Sequence, residues 1–241
     1  MLSIIVPCYN EALNIPYIHR AFSECIGIRE DIEVILINNG STDNSQEIMN
    51  KLLRENKKEI FRIVHVKENC GYGFGILSGL KEAKGEVMAW THADLQTDPS
   101  DVIAGYEKYL SLNDSKVFIK GKRTERQFHA WIFSLGMEIM ASLALKSRLT
   151  EINAQPKVFS RDFYEKYLKD KAPNDFSLDL YAHYWAKRSG RIVEIPVVVK
   201  KRKFGEAKGG GSVRTKVKLA MRTSRYIFNF RNQLVSEKLI E

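Results

Sequence analysis

The 241-residue chain reads as an α/β domain with a mostly parallel sheet flanked by helices. Three observations predict it. Short apolar runs rich in Ile and Val alternate with longer stretches of helical periodicity over the first half. Each run stops at a cluster of Asn, Gly, Ser or Asp, residues that favour turns. The runs are near-continuous rather than alternating, as strands covered on both faces require, and strand–helix alternation implies parallel neighbours joined by right-handed crossovers.

Leu2 to Val6 is the first such strand, and Asn10-Glu11 leads into a helix from Ile15 to Cys25. Ile32 to Ile37 is the second; it ends at Asn38-Asn39-Gly40-Ser41, after which Ser45 is placed to cap a helix from Gln46 to Glu55. Phe61 to Val66 is the third, followed by the glycine run Gly71-Tyr72-Gly73-Phe74-Gly75 and a helix through Ala83. Glu86 to Thr91 is the fourth and breaks at His92-Ala93-Asp94. The second half is less regular. Val117 to Gly121, Val158-Phe159 and Ile192 to Val199 read as strands, and Leu178 to Arg188 as a helix. Phe128 to Leu145 reads as a long apolar helix or a helical hairpin. Lys200 to Ser212 combines charge with four glycines and reads as a loop; Val213 onward has helical spacing. The expected division is a main domain over 1–212 and a basic amphipathic helical tail over 213–241.

Composition narrows the function classes. Hydrophobic residues make up 44% and charged residues 28%, an ordinary globular balance. Three cysteines without a C-x-x-C pattern argue against a disulfide scaffold or a four-thiolate zinc site, and suit a reducing compartment. The net charge of +9 is uneven: residues 191–241 hold 13 Lys and Arg against 4 Asp and Glu, so residues 1–190 sum to zero. A basic tail suits phosphorylated substrates or an anionic lipid surface. No DNA- or RNA-binding motif accompanies it, so nucleic acid is not an expected partner. No window reaches the apolar length of a membrane span, and the N-terminus lacks a basic leader. The expectation is therefore a cytoplasmic protein, peripheral at the inner face of the membrane.

In an open parallel sheet, ligands bind beyond the carboxyl ends of the strands. All four strand ends here carry polar turn formers, which together point to one site. Gly71 and Gly73 permit close approach of backbone to a diphosphate or to a neighbouring loop. Asp94, at the end of a strand, is well placed to hold Mg²⁺ or Mn²⁺, with the Gln96 carbonyl oxygen as a second ligand. His92 is either a further ligand, better suited to Mn²⁺, or a hydrogen-bond donor to phosphate. The alternative for Asp94 is a helix cap ahead of Pro99. Asp179, with Asp175 second, is the candidate general base should a hydroxyl be the acceptor.

Ser3-Ile4-Ile5-Val6-Pro7-Cys8-Tyr9-Asn10-Glu11, the Asn-Asn-Gly-Ser-Thr-Asp loop and Ala93-Asp94-Leu95-Gln96-Thr97-Asp98-Pro99 resemble family 2 glycosyltransferases of the GT-A (Rossmann-like) fold. Gly121-Lys122-Arg123, Ile152 to Arg161 and Arg202 to Lys208 narrow the resemblance to the polyprenyl-phosphate sugar transferase branch, which is dolichol-phosphate mannose synthase-like. The resemblance implies that Pro7, Tyr9 and Glu11 line a nucleobase pocket. Asn39 stands where the family has an Asp near base and ribose. Asp94 and Gln96 form the metal side of a D-x-D-like motif, with Ala93 beside them. Arg123, Lys157 and Arg202 match basic positions that face phosphates. His92 replaces the first Asp of the metal motif, and Asn38-Asn39 replaces Asp-Asp.

The implied activity is inverting transfer of a sugar from a UDP- or GDP-sugar to a lipid phosphate or another envelope-glycan acceptor. Asp94, Asp179, Arg123, Lys157 and Arg202 are the candidate catalytic residues. The alternatives are a soluble transferase onto a saccharide hydroxyl and a nucleotide-binding module without catalysis.

Overall fold

The computed structural model describes residues 1–55, 60–124, 128–205 and 213–240; for 128–133 and 213–216 it describes backbone alone. The chain forms two compact units, residues 1–124 with 154–205 and residues 125–153 with 206–241.

The first unit is built on a seven-stranded sheet in the order β3-β2-β1-β4-β6-β5-β7. The strands are β1 (Leu2–Cys8), β2 (Ile32–Asn39), β3 (Phe61–Val66), β4 (Val87–Trp90), β5 (Val117–Arg123), β6 (Lys157–Ser160) and β7 (Arg191–Val197). β1 pairs in parallel with β2 and β4, β2 with β3, and β5 with β7, whereas β6 runs antiparallel between β4 and β5. The helices are α1 (Ile15–Ile26), α2 (Ser45–Glu55), α3 (Tyr72–Glu82), α4 (Pro99–Leu112), the short α6 (Arg161–Phe163) and α7 (Leu178–Ser189). Every residue of β2 and β4 is buried, as their near-continuous apolar sequences require. Ile15, Ile18, Phe22 and Ile26 of α1 recur at helical spacing and close over Ile4, Val34 and Leu36 of the sheet.

Three local expectations are corrected. β2 continues through Asn38 and Asn39 rather than stopping at Ile37, because Asn38 pairs in register with Cys8 of β1 and Asn39 with Val66 of β3. Ser45 is the first residue of α2 rather than its cap. Its amide donates to the Asp43 carboxylate at 3.0 Å, and its hydroxyl accepts the Glu11 amide at 3.0 Å. The cap ahead of Pro99 is Asp98, which forms a reciprocal capping box with Asp101, so Asp94 is not spent on a helix end.

In the second unit α5 (Phe128–Ala144) is one helix rather than a hairpin, and it packs against α8 (Val213–Ser236). The C-terminal helix thus belongs with α5. The buried residues of this unit include Ala141, Leu145, Leu149, Ile152, Ile227, Phe230 and Leu234, and the Glu138 carboxylate accepts the Glu151 amide at 3.0 Å. The expected loop residues 206–212, Lys208 among them, lie outside the described residues.

Candidate active site

The carboxyl ends of β1, β2 and β4 converge on one edge of the first unit, and their loops are laced together. Asn10, with φ 53°, accepts the Thr42 amide at 2.7 Å and gives its own amide to the Ser41 hydroxyl at 3.0 Å. The Ala12 amide donates to Asp43 at 3.2 Å. The site thus rests on a cross-linked floor rather than on independent loops.

Asp94 stands at the centre, 4% exposed. Its Oδ1 accepts the Gln96 amide at 3.1 Å and its Oδ2 lies 3.0 Å from Arg202 Nη2. Burial alone would raise its pKa; the neighbouring His92 ring, the Gln96 amide and the Arg202 guanidinium outweigh it and hold the carboxyl at about 2. Asp94 is therefore ionised at neutral pH. His92 Nδ1 lies 3.9 Å from Asp94 Oδ2, and its Nε2 lies 3.1 Å from the Tyr72 hydroxyl. The side chain of Ala93 points into the core. The Gln96 carboxamide is turned toward the strand-end segment after β7, donating to the Lys200 carbonyl at 3.3 Å.

That segment lies along the site. The Lys200 amide donates to the Gln96 carbonyl at 2.7 Å, and its ammonium meets Asp98 at 2.7 Å. Arg202 bridges Asp94 and Glu11, the latter at 3.4 Å, and the Lys203 ammonium sits 3.7 Å from the Tyr17 ring centroid. Glu11 is almost wholly buried and also accepts the Asn14 carboxamide. Pro7 and Tyr9, at the end of β1, are half-buried. Arg123 is half-buried at the end of β5.

The two asparagines at the end of β2 differ. Asn38 is engaged on both sides, donating to Gln46 at 3.2 Å and accepting the Ser41 amide at 3.1 Å. Asn39 donates to the Gly71 carbonyl at 3.0 Å, while its buried Oδ1 has no hydrogen-bond partner among the described residues.

Of the two partners offered for the glycine run, the structure supplies the neighbouring loop. A Cβ on Gly71 (φ 122°) would lie 2.3 Å from the Asn174 carbonyl oxygen, and one on Gly73 2.4 Å from that of Pro173. The Phe74 amide donates to Asn174 at 2.9 Å. Gly71 and Gly73 therefore seat the 173–175 backbone on the side where a Cβ would stand.

Lys157, the implied phosphate contact, and Asp179, the candidate general base, are both buried, 0% and 3% exposed, with 2.8 Å between ammonium and carboxylate. Gln155 Nε2 at 3.1 Å and Trp90 Nε1 at 3.4 Å complete the Asp179 shell. Antiparallel β6 brings Lys157 opposite Trp90 in register, which places the ammonium beneath the end of β4. Two residues not anticipated in the sequence join this network. Tyr72 stacks on the exposed Phe176, with ring centroids 5.0 Å apart, and its hydroxyl accepts Gln155 Nε2 at 3.4 Å. A polar chain thus runs from Asp94 through His92, Tyr72 and Gln155 to Asp179 and Lys157. Tyr72 opens a helix just beyond a parallel strand, and that position is the signal that would have marked it.

Among the described residues no group of three or more His, Cys, Asp or Glu side chains is placed to hold a metal ion. A cation here would rest on Asp94 with His92, its remaining ligands supplied by substrate oxygens, as is usual for ions shared with phosphates.

A mostly parallel sheet with an acidic strand-end motif beside the second strand's polar turn places the chain among the Rossmann-like α/β folds. The family model for glycosyl transferase family 2 matches residues 3–168, and the chain belongs to that family. Its curated relatives include an undecaprenyl-phosphate 4-deoxy-4-formamido-L-arabinose transferase of Pseudomonas fluorescens, 23% identical over 86% of this chain and 59% of the relative. The same enzyme of Pectobacterium atrosepticum is 24% identical over 86% of this chain and 62% of the relative. The chain thus spans about 60% of the length of these relatives. Among solved structures, glucosyl-3-phosphoglycerate synthase of Mycobacterium tuberculosis with Mn²⁺, UDP and glucosyl-3-phosphoglycerate matches with TM-score 0.70 and 14% identity, over 96% of this chain and 79% of that one. A mannosyltransferase of Pyrobaculum calidifontis with GDP-Man and Mn²⁺ matches with TM-score 0.63 and 18% identity, over 98% of this chain and 74% of that one.

Proposed function

We propose that this chain is an inverting glycosyltransferase that moves a sugar from a UDP- or GDP-sugar to a polyprenyl phosphate, with Mg²⁺ or Mn²⁺ bound at Asp94. The observation that carries the reading is Asp94 itself. It is a buried, ionised carboxylate at the end of a central parallel strand, paired with a mobile-length cation, Arg202, rather than with a fixed backbone partner alone. The named activity of the curated relatives and the Mn²⁺–nucleotide complexes of the structural neighbours support it.

Asn39 has the character of a base or ribose contact, since its unpartnered Oδ1 is a buried acceptor that a ligand N–H or O–H satisfies. Pro7, Tyr9 and Glu11, at and beyond the end of the neighbouring strand β1, are the further residues of that pocket in this reading. When bound, the cation neutralises charge that builds on the departing nucleoside diphosphate. Arg202, released from Asp94, and Arg123 at the end of β5 supply further positive charge to the same oxygens. Lys157 acts at a distance, holding Asp179 and through it Gln155 and Tyr72.

The polyprenyl phosphate acceptor is favoured over a saccharide hydroxyl by the state of Asp179. A general base must be free to take a proton, and Asp179 is closed beneath Trp90 in an ion pair. A phosphate oxygen is already anionic and needs no such base.

The C-terminal helix supports attachment to an anionic membrane surface. Val217, Met221, Phe228 and Val235 are exposed and lie within about 40° of one another around α8, given 3.6 residues per turn. Lys218, Arg222 and Arg225 lie along one side of that stripe and are exposed. Ile227, Phe230 and Leu234 occupy a separate, buried face. No described helix is long and apolar enough to cross a membrane. An apolar stripe with a basic flank is the pattern of a helix lying in the interface.

The test is transfer from a panel of UDP- and GDP-sugars to a polyprenyl phosphate with Mn²⁺, using wild type and Asp94→Asn. One donor is expected to stand out, and Asp94→Asn is expected to lower kcat/KM by about 10²-fold or more. Equal turnover of the variant with the metal chelated overturns the metal assignment.

A further inference from the structure

Phe176 is 42% exposed, although Ser177 and Leu178 beside it are buried. Its loop is anchored on both sides of the ring. Gly71 and Gly73 receive the 173–175 backbone, and the Phe74 amide donates to the Asn174 carbonyl at 2.9 Å. The Asp175 carboxylate accepts the Ser177 amide at 2.8 Å. One face of the Phe176 ring lies on Tyr72, with centroids 5.0 Å and planes 9° apart, and Tyr72 is its one ring partner among the described residues. Tyr72 in turn meets the His92 ring edge-on, with centroids 5.6 Å apart. Contacts thus run from Asp94 through His92 and Tyr72 to Phe176, where the last ring reaches solvent.

The chemistry of that ring and its surroundings limits what can rest on it. A phenyl ring offers a negative π-face. The C–H bonds on one face of a sugar ring are polarised positive by the neighbouring oxygens, so the two flat surfaces are complementary. The hydroxyls of such a sugar then project at its edge and need hydrogen-bonding groups there. Beside Phe176, Asn174 is exposed and Asp175 half-buried, a carboxamide and a carboxylate suited to hydroxyls. An isoprenoid chain needs continuous apolar surface instead, whereas the exposed residues nearest Phe176 in this loop are Asn174 and Lys171.

We infer that Phe176 is the platform on which the transferred sugar of the donor stacks, with Tyr72 beneath it as the residue that holds the ring in place. The inference rests on the glycosyltransferase reading and adds to it the residue that recognises the sugar as distinct from the nucleotide. A pre-set ring loses little freedom on binding, because its loop is already fixed by the glycine seat and the Tyr72 stack. Stacking is separate from the base and phosphate contacts, so its removal is felt by nucleotide-sugars and spares free nucleotides.

Isothermal titration of the full chain with Mn²⁺ tests this, using UDP-glucose and UDP-xylose against UDP, and GDP-mannose against GDP. The readout is the affinity of each nucleotide-sugar relative to its own free nucleotide. Phe176→Ala is expected to lower that ratio by about 3–10-fold for the sugar that fits, with UDP and GDP binding unchanged. Phe176→Leu keeps an apolar cover over Tyr72 and is expected to lose as much, whereas Phe176→Tyr keeps the ring and the ratio. A ratio that no variant changes, or that Phe176→Leu preserves, overturns the platform and leaves the glycosyltransferase reading standing. A loss confined to KM for the polyprenyl phosphate also overturns it and turns the ring toward the acceptor chain. Wild type that binds none of these nucleotides or nucleotide-sugars overturns the reading beneath.

Discussion

Lys157→Met is expected to be among the most destabilising single changes in the sheet domain. The ammonium it removes lies 2.8 Å from Asp179 and has no exposed surface. Among the described residues, Asp179 would keep the neutral donors Gln155 Nε2 at 3.1 Å and Trp90 Nε1 at 3.4 Å for a full buried charge. Removing one partner of a buried pair costs about 3–5 kcal/mol. At about 2–4 °C per kcal/mol for a chain of this size, Tm should fall by about 6–20 °C. The double variant Lys157→Met/Asp179→Leu removes both charges and should recover most of the loss, since apolar replacement of a whole buried pair is often neutral. Thermal and denaturant unfolding of the two single variants and the double variant measures this. If Lys157→Met melts within about 2 °C of wild type yet loses transfer, the reasoning fails. The ammonium would then face a substrate phosphate, as the family resemblance alone implies.

Three further outcomes are expected. Glu33 is buried and accepts Ser3 Oγ, the Lys84 amide and Arg62 Nη1; burial opposes these contacts, but together they hold its pKa below the ordinary value. The unfolded chain binds the more protons between the two pKa values, so this stabilisation is full above about pH 4.3 and fades as pH falls through the lower folded value. Glu33→Gln should therefore be less stable at neutral pH and show a flatter acid limb in pH-dependent melts; an unchanged limb refutes it. Gly73→Ala places a Cβ 2.4 Å from the Pro173 carbonyl oxygen and should cost about 1–3 kcal/mol in denaturant unfolding; a neutral effect would mean that the 173–175 loop does not pack there. Met221→Glu/Phe228→Glu should abolish co-sedimentation with anionic vesicles at low salt, because it puts charge on the exposed stripe of α8. Each flanking basic residue is worth about 1 kcal/mol near such a surface, so high salt should release the wild type too. Vesicle binding that survives both treatments refutes an interfacial role for the helix.

The alternation of β1 to β4 with their helices was legible because each strand carries its apolar pattern locally. The reversal of β6 was not legible: Lys157-Val158-Phe159-Ser160 is apolar enough to be a strand, but nothing in four residues states its direction. That reversal also hid the Lys157–Asp179 pair, whose partners are distant in sequence and meet only through the register of β6 with β4. The placement of Asp94 was legible because it follows directly on a short buried strand and a turn. Ser45 misled because Ser is a good N-cap, whereas the tertiary contact with Glu11 drew its hydroxyl away. The part played by Tyr72 was not legible, because its hydroxyl meets His92 and Gln155, residues distant in sequence.

The carboxylates around the site bear on the acceptor. Asp94 meets Arg202, Asp98 meets Lys200 and caps α4, and Glu11 is held by Asn14 and Arg202. Asp43 accepts the Ala12 and Ser45 amides, Asp175 accepts the Ser177 amide at 2.8 Å, and Asp179 is locked by Lys157. A carboxylate that holds a loop or a buried cation must give up that contact before it can reach a substrate hydroxyl. General-base assistance is worth about 10²–10⁴-fold in rate. A hydroxyl acceptor depends on that assistance and an anionic phosphate does not. Matched acceptors separate the two: the same polyprenyl chain ending in phosphate or in a free alcohol, each offered with the best donor. The phosphate should be glycosylated faster by about 10²-fold or more. Equal rates would mean that one of these carboxylates is released on substrate binding, with Asp179 the first to examine, and the saccharide-hydroxyl reading would then take precedence.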